Sequence, residues 1–123
     1  MAEHPGAGDW LRTLAPVARF ILQGGPAARA AAGEAFGVPL PQSPCRANSV
    51  GARAALWLGP DEQLLLGPAA DTQILAAGLE AALSGIAHSL VDVSHRQIAL
   101  QVSGPHASAI LNTGCPLDLD PAE

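Results

Sequence analysis

The sequence predicts an α+β fold, made of one complete β-α-β-β-α-β unit and the beginning of a second unit. Two observations support this prediction: strand-like apolar runs alternate with two helical segments, and a strand–Gly–Pro–helix pattern occurs twice. The element order of the first unit is the ferredoxin-like arrangement. We therefore expect residues 1–16 to be an N-terminal extension, 17–94 a ferredoxin-like unit, and 95–123 the incomplete start of a second α+β unit.

The first half of this order is marked by glycine and proline. Gly25-Pro26 starts a helix, because proline at the first helical position needs no amide hydrogen, and Gly37 ends it. A long proline-rich loop follows, of the kind that often contacts a partner. The elements predicted here are a helical turn at Trp10, Leu11 and Leu14, a strand at 17–23, a helix at 27–36 and a loop at 38–50.

The second half combines a hairpin with an amphipathic helix. In the first hairpin strand, Ala52, Ala54, Leu56 and Leu58 share one face, and Trp57 lies on the other. Either helices of this chain cover the Trp57 side, or Trp57 anchors a subunit interface. The elements predicted here are a strand at 51–58, a turn at 59–62, a strand at 63–67, a helix beginning at Asp71 or Thr72, and a strand at 89–93.

The last part of the chain repeats the first. Gly104-Pro105 matches Gly25-Pro26, and the two flanking strands and helices correspond. The alternation of Ile98, Leu100 and Val102 predicts a half-buried strand at 97–103. A helix is expected after Pro105, and Leu117 and Leu119 suggest a further strand.

Composition and charge exclude several classes of function. The formal net charge is −5, and all six basic residues are arginines scattered along the chain, so no basic stripe for nucleic acid is present. No apolar run is long enough for a membrane span, and no basic cluster precedes an apolar segment at the N-terminus. Cys45 and Cys115 are expected to be reduced thiols. We expect a cytoplasmic protein that binds neither nucleic acid nor membrane.

Three patterns bear on catalysis and on metal or phosphate binding. Asp92, Ser94 and His95 have the residue types of a nucleophilic triad, but adjacent strand residues point to opposite faces and no Gly-x-Ser-x-Gly elbow exists. A strand junction or a subunit contact is the preferred interpretation. Pro26 and Pro105 each remove an amide from a helix start, which favours tight turns over phosphate loops. The possible metal ligands His4, His88, His95, His106, Cys45 and Cys115 lack paired spacing.

Several segments resemble one known family. They are Asp92-Val93-Ser94-His95-Arg96-Gln97, Gly104-Pro105-His106, Gly114-Cys115-Pro116-Leu117-Asp118-Leu119, and the run from Ala54 to Glu62. Together they are similar to the gamma subunit of heterotetrameric sarcosine oxidase. Members of that family usually continue further, so a C-terminally truncated copy is one expectation.

The resemblance implies a function, a fold and partners. That oxidoreductase acts on a CH–NH donor and oxidatively demethylates sarcosine to glycine, in sarcosine catabolism. The gamma subunit is similar in fold to the folate-binding domain of aminomethyltransferases, and it has no known catalytic residue. FAD, FMN, NAD and tetrahydrofolate are implied for the large flavin- and folate-binding subunits, and zinc for a small subunit.

No catalytic, cofactor-binding or metal-binding residue is therefore expected on this chain. Trp10, Trp57, His95 and Arg96 are the candidate partner contacts. Two alternatives stay open: the equivalent subunit of a related N-methyl amino acid dehydrogenase such as N-methylglutamate dehydrogenase, and a stand-alone folate-binding or aminomethyltransferase-like protein.

Overall fold

The computed structural model describes residues 9–119, which fall into two compact units. The larger is Val17–Gln97, and the smaller joins residues 9–16 to residues 98–119. The sheets are antiparallel and helices accompany them, so the mixed α and β architecture is as predicted. The elements are β1 (Leu11–Thr13), β2 (Val17–Gly24), α1 (Pro26–Phe36), β3 (Ala47–Val50), β4 (Arg53–Gly59), β5 (Glu62–Pro68), a 3-10 turn (Ala69–Asp71), α2 (Thr72–Leu83), β6 (His88–Asp92), β7 (Leu100–Val102) and α3 (Ala107–Asn112).

The larger unit contains a five-stranded sheet in the order β3-β4-β5-β2-β6. Every neighbouring pair is antiparallel, and Phe20 in β2 is level with Leu65 of β5 and Asp92 of β6. Alternate strand residues meet the apolar stripes of α1 and α2 in one continuous core. The buried apolar residues are Ala18, Phe20, Leu22, Ala28, Ala32, Phe36, Val38, Leu40, Ala55, Leu65, Leu75, Leu79 and Leu83.

Two glycines set how these helices are placed. Gly37 has φ of 80°, and its amide donates to the Gly33 carbonyl at 2.9 Å, which ends α1 as predicted. A Cβ at Gly67 in β5 would lie 2.7 Å from Cδ1 of Leu75 in α2. The missing side chain therefore allows α2 to approach β5 closely.

The segment predicted as one loop at 38–50 ends in a strand. Ala47–Val50 forms β3, in which Asn48 pairs with Ala55 and Val50 with Arg53 of β4. Gly51, with φ of 58°, begins the turn that joins the two strands, so β4 starts later than predicted. All four residues of β3 are exposed. An edge strand of this kind has no alternation of apolar and polar residues from which it could have been predicted.

In the smaller unit, β1 pairs antiparallel with β7, and Leu11 lies level with Val102. The predicted helical turn at Trp10, Leu11 and Leu14 is therefore wrong. Backbone bonds from Leu14 to Ala99 and from Ser103 to Trp10 extend the ladder beyond the strands. These residues are extended because pairing with β7 gives hydrogen-bond partners to their backbone N–H and C=O groups. One isolated helical turn would leave most of those groups without a partner.

The expected half-buried strand at 97–103 is also corrected. β7 is shorter, and Ile98 and Leu100 are 73% and 59% exposed. No strand forms at Leu117 or Leu119 within the described residues. Their carbonyls instead accept from side chains at α3, since Asn112 donates to Leu117 and Ser108 donates to Leu119 at 3.0 Å.

The two strand–Gly–Pro–helix segments of the sequence can be compared by their strand pairing. β2 and β7 each lead into a Gly-Pro helix start, and each pairs with a strand distant in sequence. β1 comes directly before β2 but pairs with β7, whereas β6 comes directly before β7 but pairs with β2. The strand that precedes each repeat therefore pairs with a strand of the other repeat. Residues 9–16 lie in the smaller unit.

Candidate functional site

The turn that follows β6 is held by a buried serine. Ser94 is 8% exposed; its amide donates to Oδ1 of Asp92 at 2.9 Å, and its hydroxyl donates to the same oxygen at 2.5 Å. The Ser94 oxygen also accepts from the Arg19 amide in β2 at 2.9 Å. The Asp92 carboxylate and the Ser94 hydroxyl thus hydrogen-bond to each other and to backbone amides, and these bonds hold the turn in one conformation. We call residues 92–97 the locked turn.

Arg19 attaches both ends of this turn to the sheet. Its carbonyl accepts from the Val93 amide at 2.8 Å, and Nη1 of its nearly buried side chain donates to the Gln97 carbonyl at 3.1 Å. This bond to a carbonyl offsets part of the cost of burying the charged group. The sequence analysis missed Arg19, although a charged residue inside the apolar run of β2 was a usable signal.

The electrostatics of the turn favour ionised Asp92. The pKa of Asp92 is lowered from its ordinary value of 3.8, first by the side-chain hydrogen bond from Ser94, then by the Ser94 amide and the nearby His95. Burial opposes this lowering of the pKa, by less than either Ser94 hydrogen bond contributes but by more than His95 does. The lock is therefore strongest when Asp92 carries its charge.

His95 and Arg96 lie at the exposed tip of the locked turn. The Arg96 amide closes the turn by donating to the Val93 carbonyl at 3.0 Å. Within residues 9–119, four of the six arginines use their side chains on carbonyls or carboxamides of this chain: Arg12, Arg19, Arg29 and Arg53. Arg96 makes no such contact there, so its guanidinium is available to another molecule.

The two predicted tryptophan contacts have different surroundings. Trp57 is partly buried and shares a sheet face with Ala55, which is fully buried under the helices, and it pairs with Gln63 of β5. This arrangement favours the alternative in which the chain covers the Trp57 side. Leu58, on the opposite face, is 45% exposed, and Trp10 in the smaller unit is 44% exposed.

Three side chains pin the segment between α1 and β3 to the sheet. Arg53 Nη1 donates to the Phe36 carbonyl at 3.0 Å, and Asn48 Nδ2 donates to the Pro39 carbonyl at 2.7 Å. Buried Gln63 donates Nε2 to the Pro41 carbonyl at 3.0 Å. Its Oε1 is buried without a partner among the described residues. The first part of the loop is therefore fixed to the sheet of this chain. Polar residues at strand positions that face the core could have indicated this role from the sequence.

Residues 9–119 include His88, His95 and His106 among the possible metal ligands. No group of three or more His, Cys, Asp or Glu side chains is placed to hold a metal ion there. Cys45 is exposed, Cys115 is partly exposed, and both are free thiols. His4 lies outside the described residues. None of the described helices has the length and apolar character that a membrane crossing requires.

Comparison with known proteins identifies the family. Residues 23–123 match the model of the sarcosine oxidase, gamma subunit family. The sarcosine oxidase subunit gamma of Corynebacterium sp. (strain P-1) is 44% identical over 93 residues, which cover 75% of this chain and 45% of the relative. Its counterpart from Arthrobacter sp. is 41% identical over 98 residues, covering 79% and 47% of the two chains.

A solved structure shows the same fold. The heterotetrameric sarcosine oxidase from Corynebacterium sp. U-96, in complex with pyrrole 2-carboxylate, contains a chain that matches with a TM-score of 0.83 and 35% identity. The match covers 92% of this chain and 58% of that one. The chain thus spans about half the length of the curated relatives it matches. The agreement in sequence and structure shows that the chain belongs to the sarcosine oxidase gamma subunit family.

Proposed function

We propose that this chain is a non-catalytic gamma subunit of a multi-subunit sarcosine oxidase, the oxidoreductase that demethylates sarcosine to glycine. The observation that carries the proposal is the family match over residues 23–123. The similarity to a chain of a heterotetrameric sarcosine oxidase supports it. The locked turn fits this role because the Asp92 and Ser94 side chains bond to each other and so hold the turn that exposes His95 and Arg96.

The finer fold assignment is part of the same proposal. We infer that Val17–Gln97 is a ferredoxin-like plait and that the whole chain resembles the folate-binding aminomethyltransferase-like fold. The strand order β4-β5-β2-β6, antiparallel throughout, with two helices against one face, supports the plait. β3 is then an additional edge strand.

The cofactors are assigned to other subunits. We place FAD, FMN, NAD and tetrahydrofolate on large flavin- and folate-binding partners, and zinc on a small partner. The family resemblance supports this distribution.

The partner contact is proposed to centre on His95 and Arg96, with the exposed Trp10 as a further contact; Trp57 is left out because it lies on the side that the helices of this chain cover. The backbone of the turn is already ordered by its hydrogen bonds, so association does not have to order that backbone, which favours binding. Arginine is also enriched among residues that dominate interface energies. The partner surface opposite Arg96 should present a carboxylate, which a guanidinium binds with two parallel hydrogen bonds.

Co-expression with the large subunits from the same genome tests the proposal. Tagged wild-type chain should recover a flavin-containing partner, and the assembled complex should oxidise sarcosine faster than N-methylglutamate. Arg96→Glu should weaken association roughly tenfold or more, which corresponds to about 1.4 kcal/mol. Arg46→Glu is the matched control, because Arg46 is also exposed and its side chain has no partner in residues 9–119. If the wild-type chain recovers no flavoprotein, the subunit assignment is wrong.

A further inference from the structure

We propose that the outer surface of α1 and α2 is a second subunit interface, and that its occupant is a partner segment that places an arginine or lysine against Glu34. This outer helical face consists of exposed helix positions pointing away from the core: Ala27, Ala30, Ala35, Ile74, Ala77 and Ala81. The proposal rests on the assignment of the chain as a subunit. It adds a contact surface separate from the locked turn.

The outer helical face has few charged residues. A helix that meets water on one side normally carries polar and charged residues there. Here five of the eleven exposed positions are alanine, and Ile74 is 71% exposed. Glu34 and Glu80 are the charged residues among the exposed positions of the two helices. Alanine has no side-chain entropy to lose on association and lets another backbone approach closely.

Two grooves lie beside α1. A groove of about 510 Å³ separates α1 from the segment that follows it, and Ala30, Gly33, Pro39 and Leu40 line it. A second groove of about 340 Å³ lies between α1 and α2, where Ala31, Ala35 and Ala82 meet. The first groove is fixed in shape by the bonds from Asn48 and Gln63 that pin the following segment.

The charge of the two grooves selects the occupant. Glu34 lines both grooves and has no hydrogen-bond or ion-pair partner within residues 9–119. Arg29, on the rim of the larger groove, is already used: its Nη1 donates to the Pro60 carbonyl at 2.9 Å and lies 3.7 Å from Asp61. The uncompensated charge of the grooves is therefore negative.

The position of Glu34 strengthens this choice. It lies in the last turn of α1, near the end where the helix dipole already favours positive charge, and no basic residue occupies that turn. A carboxylate there is unfavourable for the isolated helix. A cation supplied by a partner would offset both the dipole and the unpaired carboxylate.

Association measurements on the co-expressed complex test the interface. Ala30→Arg fills the larger groove from an exposed position, so it should leave the thermal midpoint of the isolated chain unchanged and weaken association roughly tenfold or more. Ala52→Arg is the matched control, since Ala52 is an exposed alanine in the β3–β4 turn and lines neither groove. Its association should equal that of wild type.

A second measurement covers the case in which Ala30→Arg disturbs folding. Zero-length carbodiimide coupling should link Glu34 to a partner lysine, and Glu34→Gln should remove that link; Glu34→Lys should weaken association where the partner contributes arginine. If wild type assembles, and Ala30→Arg and Glu34→Lys associate as strongly as wild type does, the second interface is wrong and the subunit assignment stands. Failure of wild type to assemble would overturn both.

Discussion

The two units of this chain contain similar elements but differ in how much they bury. In Val17–Gln97, a five-stranded sheet and two helices enclose a core of Phe20, Phe36 and eleven other apolar residues. In the smaller unit, β1, β7 and α3 reproduce the strand–Gly–Pro–helix order, yet none of its described side chains is buried. Ile98, Leu100 and Leu117 are all more than half exposed.

This difference shows that a repeated local sequence does not by itself form a core. Two paired strands with one short helix cannot cover an apolar face, and isolated two-stranded sheets are marginally stable in water. In the larger unit, β2 is flanked on both sides by β5 and β6, whereas β7 pairs only with β1 among the described strands. Stability should therefore reside in Val17–Gln97.

The largest expected effect comes from removing a core side chain. Phe20→Ala should lower the free energy of unfolding by about 3–5 kcal/mol, because it leaves a cavity between the sheet and the helices. Leu100→Ala, in the corresponding repeat, should change it by about 0.5 kcal/mol or less, since Leu100 is 59% exposed. Urea unfolding monitored by tryptophan fluorescence measures both. Equal losses would show that the smaller unit has a core of its own.

A pair of glycines gives the next largest effect. Gly67→Ala should cost about 1–3 kcal/mol, because its Cβ would lie 2.7 Å from Leu75 and force α2 away from β5. Gly78→Ala is the control within α2, where nothing lies within 4 Å of the added Cβ. It should stabilise the chain by about 0.5–1 kcal/mol through helix propensity. Thermal unfolding of both variants should shift in opposite directions.

The smallest effect concerns the locked turn at the end of the larger unit. Because the folded pKa of Asp92 is lowered, its contribution to stability is present above 3.8 and is lost as pH falls through the folded pKa. Asp92→Asn should therefore unfold more readily than wild type at neutral pH, with the difference shrinking in acid. Ser94→Ala should weaken the same pH dependence, since Ser94 is the main cause of the shift. Chemical unfolding at a series of pH values measures both, and a difference that persists unchanged into acid would contradict the lock.

The sequence was sufficient wherever local chemistry decides the structure. Pro26 and Gly37 bound α1, and the leucine stripe of α2 faces the core, as the spacing predicts. β3 was missed because an exposed edge strand has no apolar alternation. The helical turn at Trp10 was wrong because β1 is formed by pairing with β7, a partner distant in sequence.

The candidate site shows the same division. His95 and Arg96 were singled out from the sequence, and the structure places both at an exposed tip. The anchoring by Arg19 depends on bonds across more than seventy positions of the chain, to Ser94 and Gln97, which local pattern cannot supply. Trp57 was placed on the correct side of β4 relative to Leu58, but burial of Ala55 reveals that its side is the one the helices cover.

Amide hydrogen exchange of the isolated chain tests most directly whether stability resides in the larger unit. Amides of β2 and β5 should exchange only through global unfolding, because both strands are paired on two sides and cover the core. Amides of β1, β7 and α3 should exchange much faster, through local opening that leaves the five-stranded sheet intact. Equally slow exchange in both units would contradict the account, because it would require the smaller unit to share the stability of the core.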